Sequence, residues 1–338
     1  MESLLLAHLL VVSCAAAAGE EAALQRFQTS QIYMGVSFAI VVYAPDAATA
    51  NHAFQAAYRR IGELEKMMTA YDADSELMRL CRSAPTPGPV PVSPDLCRVL
   101  QEAAEWSART EGAFDVTVGP LTKLWRRSRR RYELPDAASL AEARRSVGYQ
   151  HMIVNPQQRT VELRRPGMQI DLGGLAPGYA ADEALILLRA MGLPRALVNA
   201  SGDISLSDPP PDQPGWRIGI APLNPDEPPS QFIRAANLAV ATSGDARQFV
   251  EIGGKRYSHI LDPRTGHGLL GRSSVSVVAP SGMAADALAT AVSVLGPEKG
   301  LALIEQTPPA AAMIVRAEED GTVKTYASRR WADYLERR

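Results

Sequence analysis

Cysteine is scarce in this chain of 338 residues: Cys14, Cys81 and Cys97 are the whole set, with no Cys-x-x-Cys spacing and no histidine cluster beside them. That excludes the thiolate-rich zinc modules and a dense disulfide framework. Cys81 and Cys97 could pair in an oxidising compartment, but two unpaired, partly buried thiols are the default. Excess charge of one sign is also missing. Lys and Arg number 35 against 37 Asp and Glu, a formal net charge of -2, which supplies no general attraction for nucleic acid or an anionic membrane surface. One basic cluster stands out: Arg126, Arg127, Arg129, Arg130 and Arg131. It runs into Leu134-Pro135-Asp136 and reads as a solvated loop ahead of a new helix, with docking of an acidic partner the weaker alternative. No sustained internal repeat is present, which removes the solenoid architectures. What remains is ordinary globular composition, 46% hydrophobic and 21% charged, sized for one large domain or two smaller ones.

Residues 4–18 are apolar apart from His8 and the small residues Ser13 and Cys14. The run is too short for a comfortable membrane span and fits a signal-peptide core, with small residues from Ala15 to Gly19 suited to cleavage. Residues 1–19 are therefore expected to direct export to the bacterial periplasm or the periplasmic face of the inner membrane. Val11-Val12-Ser13-Cys14 also resembles a lipobox, in which a lipidated Cys14 would anchor the chain to a membrane. Only Glu2, and no Lys or Arg, precedes the run, as a mis-called start codon would leave it. A buried N-terminal helix is the alternative.

From about residue 28 to 338 the pattern is that of one compact domain. Ser37 to Tyr43 reads as a strand, closed by Pro45-Asp46, which caps a helix reaching Met68. Ser93-Pro94-Asp95 is a helix start: capping serine, proline in the first turn, then an acid. That helix runs to Arg109, and another covers Ala137 to Val147. Strands are expected at Met152–Val154, Val161–Arg164 and Met168–Leu172, then a helix from Pro177 to Met191. Ala196–Val198 is expected as a strand that Ile204–Leu206 continues. Trp216–Ile220, Phe232–Ala235 and Ser274–Val278 are further strands, and Met283–Leu295 is a helix. Phe249–Ile252 and Lys255–Leu261 flank Gly253-Gly254, a two-residue hairpin signal. Met313–Arg316 and Val323–Tyr326 form a last hairpin. Without a βαβ rhythm, the fold class is α+β.

Several short segments could carry chemistry. Tyr257-Ser258-His259-Ile260-Leu261-Asp262-Pro263-Arg264-Thr265-Gly266 packs a histidine, hydroxyls and a carboxylate at a strand end. Asp286 and Thr290, four apart on a helix, put two oxygen ligands on one face, which suits Mg²⁺ rather than zinc. As an isolated pair they could equally be a surface acid and a core threonine. The alanines around them keep the local surface small. Asp171-Leu172-Gly173-Gly174 leads into a helix start at Ala176-Pro177-Gly178, where backbone N–H groups could meet a phosphate. This segment lacks the Gly-Lys-Ser/Thr of a Walker loop and the GxGxxG spacing of a dinucleotide fingerprint, and a plain tight turn explains it as well. Asn199-Ala200-Ser201-Gly202-Asp203 and Thr242-Ser243-Gly244-Asp245 read as two further turns ending in aspartate. Tyr71 reads as either a core aromatic or a platform for a flat ring.

In this order, from Tyr33 to about Ile304, the segments resemble the ApbE family of FAD:protein FMN transferases. The markers are Met34-Gly35, Met68-Thr69-Ala70-Tyr71 with Asp74-Ser75-Glu76, and Gly112-Ala113-Phe114-Asp115-Val116-Thr117-Val118-Gly119-Pro120. Asp171-Leu172-Gly173-Gly174, the two aspartate turns, the decapeptide around His259, and Ala285-Asp286 with Thr290 complete them. The resemblance implies a domain of mixed or antiparallel sheets with flanking helices, and Mg²⁺-dependent cleavage of FAD. AMP is released and FMN joined to a Ser or Thr hydroxyl of an acceptor protein, such as a subunit of an exported redox complex. Met34, Tyr71, Ala113, Phe114, Asp115, Asp171, Pro177 and Ile260 would line the FAD site. Gly174, Asp286 and Thr290 would hold the metal. His259 would act as general base, with Asp262 orienting it. The family usually carries lysine where this chain has Pro177, glycine at Ser201 and asparagine at Cys81. The departure at Pro177 keeps open a non-catalytic FAD-binding or delivery protein; an FAD pyrophosphatase, with water as acceptor, also stays open because it needs the same metal and base.

Overall fold

The computed structural model describes residues 23–246, 248–318 and 320–336; the expected signal segment and Cys14 lie outside the described residues. The first hairpin joins β1 (Gln25–Tyr33) and β2 (Val36–Ala44) through Met34 and Gly35, both at positive φ. β1 escapes the sequence reading because it is an edge strand, mostly exposed and without apolar alternation. Asp46 Oδ1 accepts from the Thr49 amide at 2.7 Å and starts α1 (Ala47–Met68). Ala50, Ala53, Phe54, Ala57, Tyr58, Ile61 and Leu64 form its buried stripe. Then follow α2 (Glu76–Arg82), β3 (Val90–Pro91), α3 (Pro94–Arg109) capped by Ser93, and α4 (Gly119–Arg131).

The basic cluster is therefore helix, not loop. Pro120 sits in the first turn of α4, where no amide donor is required. Leu121, Trp125 and Ser128 are buried at helical spacing, and the arginines fill the remaining faces. Next come α5 (Ala137–Arg145), β4 (Met152–Asn155) and β5 (Thr160–Leu163). Residues 168–172 are not a strand: they run extended, with a single bridge from Gln169 to Val118.

The second half holds α6 (Ala176–Ala190), β6 (Ala196–Ala200), β7 (Asp203–Leu206), β8 (Trp216–Gly219) and β9 (Phe232–Ala235). Then come β10 (Leu238–Gly244), β11 (Phe249–Ile252), β12 (Lys255–Asp262), β13 (His267–Leu270) and β14 (Ser273–Ala279). The chain closes with α7 (Gly282–Glu305), β15 (Ala311–Ala317), β16 (Val323–Ala327) and α8 (Trp331–Tyr334). β7 does not continue β6. It folds back antiparallel to it through Ser201 and Gly202, both at positive φ. Thr242, Ser243 and Gly244 belong to a strand rather than a turn; the small, polar residues of β10 conceal a central position in the sheet.

Eight strands make the main sheet, ordered β1-β2-β6-β7-β10-β14-β15-β16. Each neighbouring pair is antiparallel, so the sheet is not mixed. One face carries Phe38, Ile40 and Val42 against α1, α6 and α7; the other carries Val41, Val240 and Val278 against β8, β9 and α8. Full burial contributes roughly 1.5–3 kcal/mol for each large aliphatic side chain on these faces. Cys81 and Cys97 are buried free thiols, as expected. A third apolar cluster, with Leu121, Trp125, Val250, Tyr257 and Leu261, fixes α4 against β11 and β12.

Two glycines decide where the site forms. A Cβ on Gly178 would lie 2.5 Å from the Gly282 backbone, and one on Gly282 would lie 2.4 Å from the Gly178 carbonyl oxygen. Only bare backbone lets the starts of α6 and α7 touch this closely. Gly282→Ala is expected to destabilise the protein by about 1–3 kcal/mol through overpacking. Urea unfolding followed by circular dichroism checks this; an unchanged midpoint would show that the crossing can open freely.

Candidate active site

One cleft of about 600 Å³ gathers residues from nine of these elements and the loops between them. That volume suits a ligand of cofactor size. Tyr71, Ala113, Phe114, Asp115, Asp171, Gly174, Pro177, His259, Ile260, Asp286 and Thr290 all line it. Of the residues expected in the site, Met34 and Asp262 do not. Met34 occupies the β1–β2 turn, donating its amide to Glu65 Oε1 at 2.6 Å, and Val36 reaches the cleft in its place.

Asp286 and Thr290 lie one turn apart on α7, as their spacing requires. Asp286 is 5% exposed, and its Oδ2 is buried with no hydrogen-bond partner in the described structure. Burial pushes its carboxyl well above the usual range, and the charge of Asp203 adds to the shift. Asp203, half-buried at the start of β7, is itself shifted upward by desolvation. A Cβ on Gly174 would meet Thr290 Oγ1 at 3.6 Å, so the glycine loop closes directly on this pair. A buried carboxylate with an orphaned oxygen, a half-buried one beside it and a hydroxyl fit a hard divalent cation: its charge would relieve both acids at once. Asp203 is a cleft carboxylate that the sequence presents only as the end of a turn; its position at a strand end is the available signal.

His259 sits on β12 where pairing with β13 slips between Tyr257 and Leu261, a bulge that re-aims the strand. Its backbone N–H donates to the Gln248 carbonyl at 3.0 Å, and Nδ1 lies 3.1 Å from the same oxygen. A carbonyl only accepts, so Nδ1 carries the proton and Nε2 keeps its lone pair. Burial lowers the basicity of the ring, the Gln248 carbonyl opposes that shift, and the nearby Arg129 charge reinforces it.

Asp262 does not orient this histidine. It lies three residues further along the strand, and both its oxygens are held by Arg264: Oδ1 accepts from Nε at 2.8 Å and Oδ2 from Nη2 at 2.9 Å. Burial works against its charge, but the Arg264 hydrogen bonds prevail and hold the carboxyl below the ordinary range. The Gln248 carbonyl takes the orienting role; no side-chain motif announces a backbone acceptor.

At the mouth, Tyr71 is 77% exposed and is no core aromatic. The Arg126 guanidinium lies 4.9 Å from its ring centroid and donates to Asp171 Oδ2 at 3.1 Å. Asp171 Oδ1 accepts the Gly173 amide at 3.0 Å, which shapes the glycine turn. Asp115 spends its oxygens inside the protein, accepting from the Thr117 amide and hydroxyl and from the Tyr149 amide. Burial still raises its pKa despite those bonds. It shapes the 113–117 loop, leaving Ala113 and Phe114 as cleft wall. Ile260 lines the floor with its amide donated to Ser258 Oγ at 3.1 Å. Pro177 brings a ring and no charge. The cationic wall comes instead from Arg126 and Arg129 of the basic cluster, whose i, i+3 spacing was the overlooked signal.

The ApbE family profile matches residues 34–315. An FAD:protein FMN transferase of Vibrio cholerae serotype O1 is 36% identical over 281 residues, 82% of this chain and 83% of the relative. One from Escherichia coli K12 is 31% identical over 280 residues, 80% of this chain and 78% of the relative. Among solved structures, the flavin transferase ApbE from Vibrio cholerae superposes with a TM-score of 0.81 at 31% identity, covering 92% of this chain and all of that one. The apo flavinyl transferase ApbE of Pseudomonas stutzeri superposes with a TM-score of 0.81 at 29% identity, covering 93% and 98%. With the family profile spanning most of its length and relatives above 30% identity over about four-fifths of it, this chain belongs to the ApbE family.

Proposed function

We propose that this protein is an FAD:protein FMN transferase that moves FMN from FAD onto a Ser or Thr hydroxyl of an acceptor protein and releases AMP. The observation that carries it is the shared cleft: His259, with Nε2 unpaired, opens on the same space as the orphaned Asp286 carboxylate. The acceptor hydroxyl gives its proton to Nε2 as its oxygen bonds to the flavin-side phosphorus. The bond from that phosphorus to the bridging oxygen breaks, and AMP leaves with the electron pair. Gly174, Asp286 and Thr290, with Asp203 beside them, would hold Mg²⁺. That ion supplies charge neutralisation to the diphosphate when bound. Tyr71 offers an exposed ring at the mouth for the flat isoalloxazine, with Arg126 keeping its orientation. The apolar segment before residue 19 supports export, with Cys14 a lipid-anchoring position and an exported redox-complex subunit a fitting acceptor.

His259→Ala is expected to lower FMN transfer by at least ~10²-fold while FAD still binds. Mass spectrometry of the acceptor, with free FMN and AMP measured alongside, reads this and separates transfer from hydrolysis. Normal flavinylation by the variant would remove His259 from the mechanism. Only the neutral imidazole accepts the proton, so activity is lost as pH falls through the His259 pKa. Burial lowers that pKa, so the acid limb of kcat/KM should centre below about 6.5, the ordinary histidine value. A limb centred at or above that value would contradict the assignment.

Mg²⁺ without FAD should raise the melting temperature of the wild type and leave that of Asp286→Asn unmoved. Differential scanning fluorimetry across a Mg²⁺ titration checks it. An equal upward shift in both proteins would place the cation elsewhere.

A further inference from the structure

The basic helix holds one cation whose purpose the interactions described above do not explain. α4 turns Thr122, Arg126 and Arg129 toward the cleft, while Arg127, Arg130 and Arg131 are exposed on its other sides. The helix cannot roll away from that orientation. Trp125, buried, donates Nε1–H to the Gly266 carbonyl at 2.7 Å and packs against the Tyr257 ring at 5.4 Å. Arg126 is committed already, to Asp171 and to the face of Tyr71. Arg129, one turn beyond Trp125, is not. Among the described residues no carboxylate lies within ion-pairing distance of it.

The charges around the cleft leave a definite role open. Four aspartates line it: Asp115, Asp171, Asp203 and Asp286. Asp115 is satisfied by Thr117 and Tyr149, and Asp171 by Arg126 and Gly173. Asp203 and Asp286 suit a divalent cation. Arg129 is then positive charge left over, half-buried and facing the cavity beside His259. A guanidinium kept in a partly desolvated wall without an anion is an anion site in waiting, and its planar fork matches phosphate oxygens. A diphosphate brings two negative charges, and a divalent cation already balanced by Asp203 and Asp286 leaves them to be offset from the other side.

We propose that Arg129 binds the flavin-side phosphate of FAD, holding its non-bridging oxygens while His259 deprotonates the acceptor hydroxyl. This deepens the transferase reading and rests on it. The arrangement also accounts for Arg129 standing beside a histidine that must stay neutral: its charge disfavours the imidazolium.

The test uses the full-length protein with Mg²⁺ and compares FAD with riboflavin, which has the same ring system and no phosphate. Arg129→Ala should weaken FAD binding about 10- to 100-fold, a range set by one charge-assisted contact, and leave riboflavin binding within twofold. Arg129→Lys should recover part of the loss, since it keeps the charge and forfeits the fork. Arg127→Ala, on the exposed side of the same helix, should behave as wild type. KM for FAD should rise more than kcat falls. Equal losses for FAD and riboflavin would assign Arg129 to cleft shape and overturn the proposal, as would unchanged FAD affinity in Arg129→Ala. A wild-type protein that binds riboflavin and FAD equally has no phosphate site, which also overturns it. Failure of the wild type to bind FAD at all would overturn the transferase reading and this inference together. Melting temperatures of the variants separate lost contacts from lost fold.

Discussion

A carboxylate buried in an alanine-lined helix wall is the constraint around which the rest is arranged. Asp286 sits among Ala284, Ala285, Ala287 and Ala289, all buried, with Asp203 close enough to raise its pKa further. Two acids in a low-dielectric wall repel each other and lose hydration, an arrangement that persists only with a proton or a cation between them. The protein accepts this beside a close backbone crossing of Gly178 and Gly282. The glycine contact between α6 and α7 brings the Gly174 loop against Thr290, so the oxygen donors converge by helix packing rather than by a flexible loop. Rigid elements hold such constellations more accurately than loops do.

The opposite wall is built by other means. His259 rides on a bulged strand, and the tautomer useful for accepting a proton is set by one backbone carbonyl. α4 is pinned to the same hairpin through Trp125 and Gly266, so strand and basic helix form one body. The cleft therefore has an acidic side on the α6–α7 crossing and a basic side on α4 and β12. A substrate with a central diphosphate is complementary to that polarity: cation-seeking oxygens on one side, guanidinium on the other.

Much of the fold was legible because its signals are local. The caps at Asp46, Ser93 and Asp136 each accept a nearby amide, and the Gly253-Gly254 hairpin forms where expected. Seven elements were not legible, β1, α2, β3, α4, β10, β13 and α8, and three of them show why. β1 lies at an edge and needs no apolar face; β10 is central but made of small residues; α4 hides its narrow buried stripe among arginines. In each, tertiary context overrides the composition of the segment. The site divides in the same way. Asp286 with Thr290 was readable because a helix places i and i+4 together whatever surrounds it. Asp262, a partner of His259 by the family resemblance, instead gives both its oxygens to Arg264.

By itself, the order of residues determined the α+β class, the helix starts, the His259 hairpin and the family to which those segments belong. The helix starts and the hairpin depend on spacings shorter than a single element, the class and the family on the order of such segments along the chain. Only the tertiary structure decided that Asp203 joins Asp286, that Gln248 sets the histidine tautomer, and that Arg126 and Arg129 face the cleft. Those contacts join residues 11 to 83 positions apart or depend on which side of a helix packs inward, and burial, not sequence proximity, selects them.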